Sequence, residues 1–588
     1  MDRRLIGPIV LAAGLAALSS TSAAMSAAQQ PAPTTAPAAT GIPSGAAAVE
    51  QIAPGSGPSA RLVIAFDGLG AGFVGPQGEA TLRNPSDNSL AVGRDHIVQT
   101  VNSRLAIFTK RGATFDSTGR VLLGPVPTNL VFRGFGGPCE ERLTGDAVVR
   151  YDQLADRWLL VLPIFSRFPA HAMGAGPRTA TLYRPPPAPP APPAPLVPAA
   201  SPTPPSPQSA PGTPSPTVAP PTGDYAICYA VSESPDPLGA WHRYEFTRVL
   251  FPDYPRPAVW PDGWYTPTST GDDVIEKHVC VVDRKRMLAG LDATEQCVIV
   301  PGVNFLNTSD LDGRRLPPRG APNIVMAAGG TQLKGVIDAS EILAWTFHVD
   351  WTDPSKTKLE GPQRIAVAPY RYLCGGQLTS CVPQPGTERR LDAQGDKIMP
   401  RLVYRRFRDH EALVAVHSVN TKAGGGGVRW YEFRVGAGRA IALAQQGTYA
   451  PDSAYRWLAS PAIDKLGNIG IGYSFGGALD FPGQRFAGRS PGDPKGVLTF
   501  GETMLATGEA SQTATLRWED YTQTAVDPSD DCTVWYVGDY LRAGATRYSS
   551  RIGAFRMPGC GNVSAQRTGS SAARRPGAHV RGVNNRRR

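Results

Sequence analysis

Two stretches near the end of the chain constrain the fold more than anything else in it. Leu516–Tyr540 reads LRWEDYTQTAVDPSDDCTVWYVGDY, and about sixty residues upstream Tyr455–Ser474 reads YRWLASPAIDKLGNIGIGYS. Each opens on an Arg-Trp pair and runs through a short strand of small and apolar residues, Gln523–Val526 or Ser460–Ile463. Each turns at an aspartate, Asp527 or Asp464, and returns as a second strand, Cys532–Val537 or Ile469–Ser474. A strand, an Asp-bearing turn and a returning strand, repeated at a period near fifty residues, is the pattern of propeller blades.

Earlier segments repeat the scheme. A unit from about Asp87 contains SLAV, HIVQTVN and RLAIFTK, and one from Asp146 contains AVVRYD, RWLLVLPIF, DYAICYAVSES and WHRYEFT. AVWPDGWYT with HVCVVDR makes a third, and PNIVMAA with ILAWTFHVDW a fourth. IMPRLVYRR, EALVAVHSV and GVRWYEFRV make a fifth. With the two units above the count is seven, with six and eight as alternatives. Helical periodicity is scarce, so the fold class is all-β, a β-propeller. Arg61–Phe66 precedes the first full unit and is expected to supply an edge strand to the last, hiding an open sheet edge.

The flanks read differently. Asp2-Arg3-Arg4, the apolar run Leu5–Leu18 and small residues around Ser22–Ala28 predict a signal peptide over 1–28. Residues 29–59 are rich in Ala, Pro, Gly, Ser and Thr and predict a disordered lead-in to a propeller spanning 60–560. An insertion at 185–222, polyproline-like, interrupts the second unit and reads as a spacer. The net charge of +10 is mostly in the ends: the tail 561–588 contributes +7 through its arginines and the first residues +1. The body is nearly neutral, so no nucleic-acid partner is expected, and the tail reads as disordered. No further segment is long and apolar enough to span a membrane once the signal is removed. The protein is therefore expected to be exported, to the periplasm or beyond it.

Eight cysteines in an exported chain predict disulfides rather than metal thiolates. Proximity in sequence suggests Cys374–Cys381, Cys280–Cys297 and Cys532–Cys560, leaving Cys139–Cys228, although proximity does not determine connectivity.

Several segments together resemble a group of large exported bacterial proteins that are propeller-like in pattern: YDQLADRW, FPDYPRPAVWPDGWY, LDGRRLPPRGAPN, CVPQPGT, VRWYEFR, QQGTYAPDSAYRW and VDPSDDCTVWY. The likeness spans roughly 87–560. It implies the fold and export, and no activity.

Short motifs that suggest enzymes lack their contexts. Gly70–Gly75 fits GxGxxG without a following helix signal, and Gly472–Gly476 fits GxSxG at the end of a strand rather than on a nucleophile elbow. Gly424–Gly427 has no Lys-Ser/Thr after it, and His410 and His417 lack zinc-ligand spacing. Asp310 with Asp312, and Asp527 with Asp530 and Asp531, gather carboxylates as calcium loops do without completing an EF-hand. Structural calcium is the one cofactor the sequence admits.

Four of the ten tryptophans follow an arginine. The simpler reading is structural, Trp packing between blades while Arg pairs with a turn Asp such as Asp156 or Asp520. The functional reading takes Arg401, Arg456 and Arg517 as a clamp for a carboxylate, each guanidinium offering a planar fork. By analogy with sialidases, Asp146 or Asp396 would then be the acid and Tyr521 with Glu519 the nucleophile pair, although the S-x-D-x-G-x-x-W box of sialidase blades is absent. The sequence thus points first to a binding or scaffold module for a glycan, a peptide or an envelope protein. A glycan-acting hydrolase is the alternative.

Overall fold

The computed structural model describes residues 44–81, 83–111, 115, 117–168, 223–269, 276–303, 305–329, 340–376 and 380–560. The expected signal peptide, the Pro-rich insertion and the Arg-rich tail lie outside them.

The described chain is all-β, with two short α-helices, Pro138–Glu141 and Arg284–Leu288. Its strands form antiparallel meanders of four. The first is Ser89–Val92, His96–Val101, Arg104–Thr109 and Val121–Pro127. The second is Val148–Asp152, Arg157–Phe168, Asp224–Ser232 and Trp241–Arg248; the third runs from Ala258–Val259 to Glu295–Val300. Two further meanders, Asn307–Leu311 to Lys358–Ala366 and Leu402–Arg406 to Ile441–Tyr449, share one nine-stranded sheet. Their first strands pair in parallel, Ser309 opposite Leu402. Tyr455–Ile463 to Thr503–Ala506 follows. The last sheet takes Gln523–Val526, Thr533–Tyr540 and Ser549–Arg556, and its fourth strand is Arg61–Asp67, antiparallel to Ser549–Arg556. The N-terminal strand therefore occupies the edge expected for it.

The first strand of each meander lies beside the first strand of the next, and Gln523–Val526 lies beside Ser89–Val92. Polar side chains stitch these strands together. Ser89 Oγ lies 2.8 Å from Gln523 Oε1, and the Thr524 amide donates to Ser460 Oγ at 2.9 Å. Broad faces of adjacent sheets pack through apolar side chains, including the buried rings of Trp158, Trp264, Trp430, Trp457, Trp518 and Trp535. The approach is close: a Cβ on Gly472 would stand 2.4 Å from the Tyr536 ring, so only glycine lets these two sheets meet.

Several expectations need correction. Asn307–Leu311 begins the fourth meander, where PNIVMAA was expected to be the first of its strands. Its sequence, NTSDL, hides a buried strand because its polar groups are satisfied inside: Asn307 Nδ2 donates to Ile398 O at 2.9 Å and Ser309 Oγ to Ile324 O at 2.8 Å. Lys358–Ala366 is too charged to read as a strand, yet suits an exposed edge. Nor is the lead-in disordered throughout. Glu50–Gln51 pairs in parallel with Thr448–Tyr449, and the Gln51 amide both donates to Leu498 O and accepts from Leu498 N.

All eight cysteines are bonded, as Cys139–Cys228, Cys280–Cys297, Cys374–Cys381 and Cys532–Cys560. Four disulfides place folding in an oxidising, non-cytoplasmic compartment. Among the described residues no helix is long and apolar enough to cross a membrane.

Candidate functional site

Five meanders carry an aspartate a few residues before their first strand: SDNSLAV with Asp87, GDAVV with Asp146, PDYPRPAV with Asp253, GDKIMPRLV with Asp396 and EDYTQTAV with Asp520. First strands lie side by side, so these equivalent positions fall at one end of the assembly. Four of the five carboxyls interact there. Asp146 is hydrogen-bonded to both Asp87 and Asp253, and the charge of Asp520 acts on all three.

Two carboxyls can share a hydrogen bond only by sharing a proton, as in acid dyads. Burial is the main force raising Asp146 well above the usual carboxylate range, and the charges of Asp87, Asp253 and Asp520 add to it. Asp87 is likewise raised well above that range by burial and Asp520, and Asp253 is raised by the same two causes. Asp146 sits in the middle of the three, its Oδ2 accepting the Tyr254 amide at 3.2 Å. Asp87 Oδ2 accepts from Asn102 Nδ2 at 2.6 Å.

Basic groups interleave with the acids. Arg517 bonds Asp520 at 2.7 Å and Asp392 at 2.8 Å, and its pKa rises, against the effect of burial, through those two carboxylates. Burial brings Asp392 to about 6 despite Arg517. Lys397 Nζ donates to Asp396 at 3.3 Å. The rings of Tyr254 and Tyr521 stand 4.8 Å apart, and neither hydroxyl has a hydrogen-bond partner among the described residues. Tyr521 is 2% exposed, and the nearby charges of Asp146, Asp87 and Asp520 reinforce burial in raising it.

The backbone is strained at the same place. Asp87, Asn102, Asp146, Tyr254, Gln394, Glu519 and Asp520 all have φ between 45° and 79°. Such conformations cost on the order of 1 kcal/mol or more each, and they concentrate where side chains must be aimed.

The structure brings together only some of the residues singled out by the sequence. Asp146 and Tyr521 share the aspartate ring. Glu519 turns the other way, accepting from Ser474 Oγ at 2.7 Å and Gln484 Nε2 at 2.8 Å, so it is not paired with Tyr521. The three arginines do not converge. Arg456 pairs with Asp452 and Glu502, each at 2.8 Å. Arg401 bonds Asp310 and Asp312, both at 2.5 Å, inside a cavity of about 110 Å³ at the other end of the first strands. Only Arg517 reaches the ring.

The carboxylates suggested for calcium are engaged by the protein's own cations. Asp310 and Asp312 hold Arg401, Asp527 holds Lys110 at 3.0 Å, Asp530 holds Arg556 at 3.3 Å and Asp531 holds Arg405. Among the described residues the one tight group of metal-ligating types is Cys280, Glu295 and Cys297, where both sulfurs are spent in a disulfide. The Ser474 of the GxSxG match is buried, bonded to Trp518 Nε1 and Glu519.

Asp87, Asp253 and Asp520 were missed as site residues. The available signal was the recurrence of an aspartate just ahead of five first strands, a position masked by variable spacing to the strand.

No family model matches the chain, and no curated protein matches it. Solved structures similar to it include an ulvan lyase described as a new polysaccharide lyase family, 9% identical, covering 85% of this chain and 94% of that chain with a TM-score of 0.35. An α-L-arabinofuranosidase from Lactobacillus brevis is 10% identical over 52% of this chain and 90% of its own, with a TM-score of 0.27. A Hadza microbial sialidase is 9% identical over 56% and 79%, with a TM-score of 0.23. Overlaps this low leave the site to be read from its own geometry.

Proposed function

We propose that the meanders are the seven blades of a closed β-propeller working in the periplasm or outside the cell, and that the aspartate ring is an acid–base site that binds and cleaves a glycan. The side-by-side succession of first strands, returning from the last meander to the first, supports closure. The observation that carries the chemistry is the hydrogen-bonded row Asp87–Asp146–Asp253, three carboxyls from three meanders sharing protons.

Cleavage of a glycosidic bond needs one carboxyl that still holds a proton near neutral pH and another that works as a carboxylate. Asp146, raised by burial and three acidic neighbours, is the donor. Asp520, ion-paired with Arg517, supplies the carboxylate. A sugar suits the setting because each hydroxyl both donates and accepts. The ring sets carboxylate acceptors beside the Tyr254 and Tyr521 hydroxyls and Arg256 Nη2, which has no hydrogen-bond partner among the described residues.

A second reading, a binding module without turnover, is favoured by one feature. The row is spaced by hydrogen bonds, closer than the ~5–10 Å between the carboxyls of glycosidases. Reducing-end release from neutral and acidic oligosaccharides, with binding measured in parallel, separates the two. The enzyme reading expects Asp146→Asn to bind normally and lose about 10²–10⁴-fold in kcat. Binding without release by the wild type would establish the module, and turnover unchanged in Asp146→Asn would remove the assigned acid.

A further inference from the structure

The cavity at the far end of the first strands draws its walls from the first, second, fourth and last meanders and measures about 110 Å³. A single water needs about 10–15 Å³ of such space, so there is room for one edge of a small solute. Arg314 lines this cavity and also a neighbouring cleft of about 350 Å³. The two spaces together reach the size of an ordinary ligand pocket.

The charges in the wall are already balanced. Arg150 and Arg401 face Asp310 and Asp312, and Arg314, Asp527 and Asp531 each pair with a residue outside the lining. A ligand with net charge would give up its hydration there without gaining a free counter-charge. Two hydrogen-bonding atoms are left over, one of each kind. Arg150 donates from Nε to Pro257 O at 2.8 Å and from Nη1 to Val149 O at 3.1 Å, while Nη2 makes no hydrogen bond among the described residues. Asp531 gives Oδ2 to Arg405, and its buried Oδ1 has no partner among the described residues. Leu90, Val92 and Ala525 add apolar surface to the same wall.

A spare donor, a spare acceptor, an apolar stretch and no spare charge together describe a site for a sugar. Each hydroxyl accepts as well as donates, the C–H face of the ring suits the apolar residues, and the molecule is neutral. We propose that the cavity receives the hydroxyl-bearing edge of a neutral hexose, the terminal unit of a glycan that continues along the neighbouring cleft. Arg150 Nη2 donates to one hydroxyl oxygen, and Asp531 Oδ1 accepts from another hydroxyl. Neither residue belongs to the aspartate ring, so this second site does not depend on the acid–base reading above.

Calorimetric titration of the full chain with D-galactose, D-glucose and D-mannose tests the site, with sodium acetate and L-alanine as the anion and the zwitterion. At least one hexose is expected to bind with a Kd at or below about 1 mM, and acetate and alanine are expected not to bind. Ala525→Leu puts a larger side chain on the cavity wall and is expected to weaken that hexose about tenfold or more. Arg150→Lys keeps the charge, removes Nη2 and is expected to weaken it about tenfold. Binding of no hexose would overturn the site, and so would hexose binding that is unchanged in both variants. Acetate or alanine bound more tightly than every hexose would overturn the assignment to a sugar. Should Arg150→Lys not fold, the wild-type panel and Ala525→Leu decide the matter.

Discussion

Asp539 offers a test of the polar interior that supports the aspartate ring. Its carboxyl is 1% exposed and accepts from Asn88 Nδ2 at 2.5 Å, and its amide donates to Glu519 Oε1 at 2.5 Å. Burial raises it to about 8, against hydrogen bonds from Ser86 and Asn88 that favour the carboxylate. An unfolded aspartate titrates near ~3.9, so the folded chain keeps a proton that the unfolded chain releases across that interval. The contribution is fully present below about pH 4 and is lost as pH rises through about 8, at roughly 1.4 kcal/mol per pH unit. Asp539→Asn keeps a carbonyl oxygen for Asn88 and replaces the protonated oxygen by an amide that does not titrate. Relative to wild type, the variant is expected to gain roughly 3 kcal/mol between pH 5 and pH 7, levelling off above pH ~8. Urea unfolding at pH 5, 6, 7 and 8 measures this directly. Stability curves for the two proteins that stay parallel over that range would refute the reasoning, because a group already ionised in the fold contributes no such slope.

Two further sets of substitutions probe how the first and last meanders are tied together and how the chain is cross-linked. Lys110 and Asp527 form a fully buried ion pair at 3.0 Å between those two units, so Lys110→Met alone should cost about 3–5 kcal/mol, whereas Lys110→Met with Asp527→Leu should recover most of it in a double-mutant cycle. The disulfide Cys139–Cys228 closes 89 residues and Cys374–Cys381 only 7. Loop-closure entropy makes them worth roughly 4.6 and 2.4 kcal/mol, so replacing the first pair by alanines should lower the thermal midpoint more than replacing the second, and the reverse order would show that chain entropy does not govern them.

Much of the architecture was legible in the chain because a meander is local. Strand, turn and returning strand are neighbours in sequence, their hydrogen bonds join residues a few positions apart, and Asp464 bonds Leu466 and Asn468 within its own turn. Three of the four disulfides are local in the same sense, and even Arg61–Asp67 was betrayed by its apolar run and its position before the first complete unit. Two of the strands that escaped notice, Asn307–Leu311 and Lys358–Ala366, lack the apolar alternation that marks a half-buried strand: one satisfies its polar groups in the interior, the other faces solvent.

The site is a different matter. Arg456 and Arg517 open the same Arg-Trp pattern, yet they, like Arg401, each found their own acids, so a shared motif did not bring them together. Asp87 and Asp520 stand more than four hundred residues apart in the chain, yet they act on the same proton-sharing row. The sequence by itself determined the repeated sheets, the cysteines available to cross-link them and an aspartate ahead of five first strands. Only the tertiary structure decided that four of those aspartates interact and that Arg256 joins them with a nitrogen left unpartnered among the described residues. The physical reason is that strand pairing within a unit is set by adjacent residues, whereas convergence at one end is set by the stacking of every sheet on the next, a sum of many interfaces that no single stretch encodes.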